Sequence, residues 1–201
     1  MAGPQPSPAE QVRALFLESA RVKTAVAEAL APAIAEAADW VGEAFRAGHK
    51  ALLFGNGGSA SDALHVAGEW TGKLGPDRPA LPAIALPANV AELTAVANDY
   101  GYDHVFARGI EAHGQPGDVA LAFSTSGSSP NVLAAVDEAR ARGLRTIGLL
   151  GRGGGKLADR VDLALVVPSD DTQRIQEAHI AIGHAIAELV DAALFPETRG
   201  R

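Results

Sequence analysis

KALLFGNGGSASD (50–62) decides the fold. Its first five residues form a short apolar run without polar alternation, the pattern of a strand covered on both faces. GNGGS (55–59) turns at the end of that run, and SDALHVAGEWTGK (61–73) continues with helical spacing. A strand passing through a glycine turn into a helix is the unit of an alternating α/β sheet.

The same order repeats along the chain. LPAIALP (81–87), VALAFST (119–125), RTIGLLG (145–151) and LALVVPS (163–169) read as four more strands. Helices are expected at 61–73, 91–96, 106–113, 130–142 and 172–194, the last ending ahead of Pro196. Upstream, MAGPQP (1–6) reads as a loose start, and Ser7-Pro8-Ala9-Glu10 is a helix-start signal. Helix is predicted from there to residue 49, with a break near Pro32 and a stop at Gly48. The expectation is one domain over 1–201: a doubly wound, five-stranded parallel sheet flanked by helices, with 1–49 as an N-terminal helical extension. In such sheets ligands bind outside the C-terminal ends of the strands, where two polar turns lie.

The totals exclude some function classes. The chain has 201 residues, 47% apolar and 20% charged, ordinary for a globular domain. A net charge of −7 argues against a nucleic-acid partner held through its phosphates, but a small anion can still bind local backbone N–H groups. There is no cysteine, so any metal must use His, carboxylate or amide ligands. No apolar run reaches about 20 residues, so no membrane partner and a cytoplasmic location are expected.

GNGGSASD combines glycines that let a ligand approach the backbone with Ser59, a candidate cap for the next helix, and Asp62 three residues on. STSGSSPN (124–131) places four serines and a threonine within six residues before a helix start at Ser129-Pro130. Hydroxyls and helix-start N–H groups can cradle a phosphate without Lys or Arg. His65 and Glu69 are four apart, on one helix face. That spacing serves a surface pair as well as a metal or acid–base site. Gln176 and His184 share an apolar side of the last helix, which serves a satisfied core histidine equally well. Asn98-Asp99 reads as an Asx turn or as hydroxyl recognition, and GRGGGKLAD (151–159) as a turn. What unites them is the combination: four chemically able side chains together with two anion-type turns.

GNGGSASDALHVAGEWTGK, AFSTSGSSPNV and RIQEAHIAIGH resemble the sugar-isomerase (SIS) family, and more narrowly its phosphoheptose isomerases. The resemblance implies a flavodoxin-like sheet and a homotetramer with active sites at subunit interfaces, to whose packing segment 1–49 contributes. It implies substrate contacts from Asn56, Gly57, Gly58 and Ser59, from Asn98 and Asp99, and from Ser124, Thr125, Ser126 and Ser129. In the members that carry zinc, the matching ligands are His65, Glu69, Gln176 and His184, with Glu69 and Gln176 also at the substrate and Glu69 and His184 the catalytic pair. The activity implied is isomerisation of D-sedoheptulose 7-phosphate to D-glycero-D-manno-heptose 7-phosphate. Where some members carry an Asp, this chain has Gln173, with Asp170 and Asp171 nearby. A relative on the same fold that associates with a replication initiator lacks the Glu and the second His. Glu69 and His184 therefore favour the enzyme over that binding role, and isomerisation of another sugar phosphate is the remaining alternative.

Overall fold

A computed structural model describes residues 6–75 and 77–198, so the first five residues of the loose start lie outside the described part. The strands are β1 (Ala51–Gly55), β2 (Ala83–Ala85), β3 (Val119–Ser124), β4 (Arg145–Leu150) and β5 (Leu163–Val166). They pair in parallel in the order β2-β1-β3-β4-β5, the doubly wound, flavodoxin-like arrangement expected. Between them run α1 (Pro8–Arg46), α2 (Gly58–Thr71), α3 (Val90–Tyr100), α4 (Val105–His113), α5 (Pro130–Ala141) and α6 (Thr172–Leu194).

The apolar runs are continuous because successive strand side chains feed two cores. Leu53, Leu121, Phe123, Ile147 and Leu149 pack under α1, α2 and α6. Leu52, Phe54, Ala120 and Ala122 pack under α4 and α5 with Phe106, Ile110, Val132 and Val136. The strand order reverses between β1 and β3, so their C-terminal ends form the crevice where ligands of such sheets bind.

Several local expectations are corrected. The helix does not break at Pro32: α1 runs through it for 39 residues. Pro32 forfeits one backbone bond, but Val22, Val26, Ile34, Ala37, Ala38 and Val41 bury one stripe on both sides of it, and that packing holds the helix together. The second strand shrinks to three residues, and Leu86–Ala88 forms a 3-10 turn, because Pro82 and Pro87 supply no N–H to a ladder. The third helix extends to Tyr100 and takes in Asn98 and Asp99; its stop is Gly101, at φ +90°. The start of α1 matches its reading: Ser7 Oγ accepts from the Glu10 N–H, and Glu10 accepts from the Ser7 N–H at 2.8 Å. No described helix is long and apolar enough to cross a membrane.

α2 and α6 lie side by side and parallel: Gln176 crosses Gly58, and Val66 sits against Gly183. Arg78 locks the C-terminal end of α2. Its guanidinium donates to the carbonyls of Glu69 (2.7 Å) and Trp70 (2.9 Å) and pairs with Asp191 of α6 at 2.8 Å, with its side chain 2% exposed. Lys keeps the charge but loses the fork. Arg78→Lys is expected to cost about 2 kcal/mol of stability, read as a lowered urea midpoint at unchanged slope.

Candidate active site

Gly57 carries the turn out of β1 at φ +56°, ψ −121°, and α2 begins at the next residue. The cap is thus glycine backbone, and Ser59 lies inside the first turn rather than capping it. The first turn of α2, through Ser59, and the start of α5, through Ser129, border the same crevice. Asn56, Ser59, Phe123, Ser124, Thr125 and Ser129 line a cleft of about 50 Å³ there. Within the serine loop, Ser124 Oγ accepts from the Gly127 N–H (3.1 Å) and Ser126 Oγ from the Ser128 N–H (3.3 Å). Those two hydroxyls shape the loop. Ser129 caps no backbone amide, so its hydroxyl is left to the cleft. Larger hollows, about 350 Å³ between α1 and α6 and about 220 Å³ at the N-terminal strand ends, lie away from this crevice.

A cluster of two histidines and a carboxylate sits further along α2. His65 Nε2 lies 2.9 Å from Glu69 Oε1 and 3.2 Å from His184 Nε2, and His184 Nε2 lies 3.8 Å from the same carboxylate oxygen. The two rings meet edge to face, 4.9 Å apart. Residues 119 positions apart are thus brought together within one chain, because α2 and α6 are neighbours. Ser59 and His65 are six residues apart, about 9 Å along the helix axis.

These residues fit a zinc ion. Four-coordinate Zn²⁺ with ligands at about 2.0–2.1 Å sets its donor atoms about 3.3 Å apart, and the three edges found bracket that spacing. Two imidazoles and a carboxylate are an ordinary zinc donor set. Gln176 does not join the three: it lies across Gly58, two helical turns before His184.

Asn98 and Asp99 are exposed at the end of α3, with Asn98 Nδ2 donating to Asp99 Oδ1 at 2.7 Å. Asp171 caps α6 by accepting from the Gln173 N–H at 2.8 Å. GRGGGKL is an irregular 3-10 turn behind the serine loop, where the Leu157 N–H donates to Gly127 O.

Sequence reasoning missed four contributors. Asp62, read as part of a helix start, has one oxygen buried without a partner; burial lifts its carboxyl to about 6, against the pull of His65. His179, fully buried, is the core histidine of α6: Nε2 meets Leu150 O at 3.1 Å, and burial drops its pKa to about 4. Asn131 and Tyr102 bond to Asn56. The clue for Asn131 was its place directly after Ser129-Pro130.

Comparison with known proteins agrees with this fold. The SIS domain family profile matches residues 16–151. The phosphoheptose isomerase of Rhodospirillum rubrum is 54% identical over 164 residues, 82% of this chain and 87% of that protein. That of Geobacter sp. (strain M21) is 49% identical over 186 residues, 92% and 97% of the two chains. The solved phosphoheptose isomerase of Neisseria gonorrhoeae superposes with a TM-score of 0.88 at 42% identity, covering 92% of this chain and all of the other. With the five-stranded parallel sheet and the SIS profile agreeing, the chain belongs to the SIS domain family and, within it, to the phosphoheptose isomerases.

Proposed function

We propose that this isomerase converts D-sedoheptulose 7-phosphate to D-glycero-D-manno-heptose 7-phosphate through an enediol, the first step of nucleotide-activated heptose biosynthesis. The observation that carries the reading is the 3.8 Å between Glu69 Oε1 and His184 Nε2, in a chain whose glycine turn and serine loop line a second, anion-type cleft. Moving a proton between adjacent carbons needs one group working at carbon and one at oxygen.

Glu69 takes a proton from C1 of the open ketose. The C1–H electrons form the C1=C2 bond as the C2 carbonyl pair moves to O2, which takes a proton from His184. The O1 proton then returns to His184, the C1 carbonyl forms, and C2 takes back the proton held by Glu69. Both side chains end in their starting states, and no oxidant or reductant is needed.

The glycine turn (Asn56, Gly57, Gly58, Ser59) and the serine loop (Ser124, Thr125, Ser126, Ser129) hold the phosphate end. Asn98, Asp99 and Gln176 read the sugar hydroxyls. His65, Glu69 and His184 would hold zinc, and Gln176 would have to leave its place across Gly58 to become the fourth ligand. Bound zinc supplies Lewis-acid polarisation of the substrate oxygens. The assembly is a homotetramer, supported by the exposed Val12, Leu15, Phe16 and Leu17 on the first half of α1 and by the apolar groove between α1 and α6.

The test is incubation of the pure protein with the ketose 7-phosphate, with and without zinc. Aldose product is expected. No product in either condition overturns the reading, and turnover of a different sugar phosphate in a parallel panel moves the substrate.

A further inference from the structure

The geometry points to Asn131 as a positioning residue that fixes the Asn56 side-chain amide as a donor to an anion in the cleft. Asn131 follows the serine loop on the first turn of α5 and is 2% exposed. Its amide faces that of Asn56 in a reciprocal pair: Asn56 Nδ2 donates to Asn131 Oδ1, and Asn131 Nδ2 donates to Asn56 Oδ1, both at 2.8 Å. Tyr102, in the turn after α3, donates its hydroxyl to the same Asn56 Oδ1 at 2.9 Å.

An amide oxygen has two lone pairs and an amide nitrogen two hydrogens. Asn56 Oδ1 therefore spends both lone pairs within the protein, while Nδ2 spends one hydrogen. Asn56 lines the cleft with Ser59, Thr125 and Ser129, and the group it has left to offer is one N–H. A side chain locked in this sense favours an acceptor-only ligand, a phosphate monoester, over a hydroxyl that needs an acceptor. The same pair joins the turn after β1 to the helix after β3, so the two halves of the cradle keep a fixed spacing. This inference rests on the proposed sugar-phosphate substrate for its KM arm alone.

The test measures the Kd of inorganic phosphate by calorimetry and, in parallel, KM and kcat on the ketose phosphate. Asn131→Ala is expected to raise Kd and KM about tenfold while kcat stays within about threefold, the effect of one misaligned bond to a charged ligand. Asn56→Ala should give the same increase, and Asn56→Ala/Asn131→Ala no more than either alone, because both remove one unit. Additive losses, or a fall in kcat at unchanged KM, overturn the proposal. Tyr102→Phe, on a half-exposed ring, gives an arm that does not depend on core stability. It should raise Kd about threefold, and an unchanged Kd counts against the assignment. If wild type binds phosphate and the variants respond as expected while the ketose phosphate is not turned over, the positioning role stands and the substrate reading falls.

Discussion

Glu69→Gln is expected to lower kcat by about 10²–10⁴ while KM stays within roughly tenfold. The substitution keeps the size of the side chain and most of its hydrogen bonding to His65. It removes the group that can take a proton from carbon. Glu69 is well placed for that role: its side chain is 18% exposed, on a helix end tied down by Arg78. Steady-state kinetics on the ketose phosphate, with exchange of the C1 hydrogen followed by NMR in D₂O, reads the step directly. Activity near that of wild type would remove Glu69 as the base and leave His184 to be tested in its place.

The second large effect is on stability. Burial lowers the His179 pKa from an ordinary 6.5 to about 4. Between those values the unfolded chain binds more protons than the folded one, so stability falls as pH falls. The contribution is full above about 6.5 and gone below about 4. A shift of that size corresponds to about 3 kcal/mol, because the ring lies wholly within the core. Asp62, raised to about 6, works in the opposite sense: its folded form binds the extra proton, so it gains stability as pH drops through 6. Comparison with His179→Gln isolates the imidazole. Urea midpoints for wild type should fall more steeply from pH 6.5 to 4 than those of the variant; parallel curves would show that His179 does not carry the acid sensitivity.

Much of the sheet could be read directly. β1, β3 and β4 are central, and their side chains enter two cores, so unbroken apolar runs mark them to within a residue at each end. β2 and β5 are edge strands, and prolines or polar exits trim them in ways composition does not display. Asn98-Asp99 looks like a turn because both residues bond readily to nearby backbone, but the helix continues until Gly101 leaves the right-handed region. In the site, helical spacing located His65, Glu69 and His184, but nothing local shows that α2 and α6 touch. Asn56 and Asn131 are 75 residues apart, and Arg78 and Asp191 are 113 apart; such partners emerge only once the chain has wound. His179 and His184 are separated by about 140° around one helix, and apolar neighbours on both sides hide which of them faces the sheet.

The pairing of α1 with α6 sets an order on the birth of the molecule. α1 is synthesised before α6 and carries a long oily stripe that α6 covers. Until residues 172–194 are synthesised, Val22, Val26 and Ile34 wait in water, a state prone to aggregation. The imidazole of His184 arrives with the same segment, so the cover for that stripe and the partner of His65 come together.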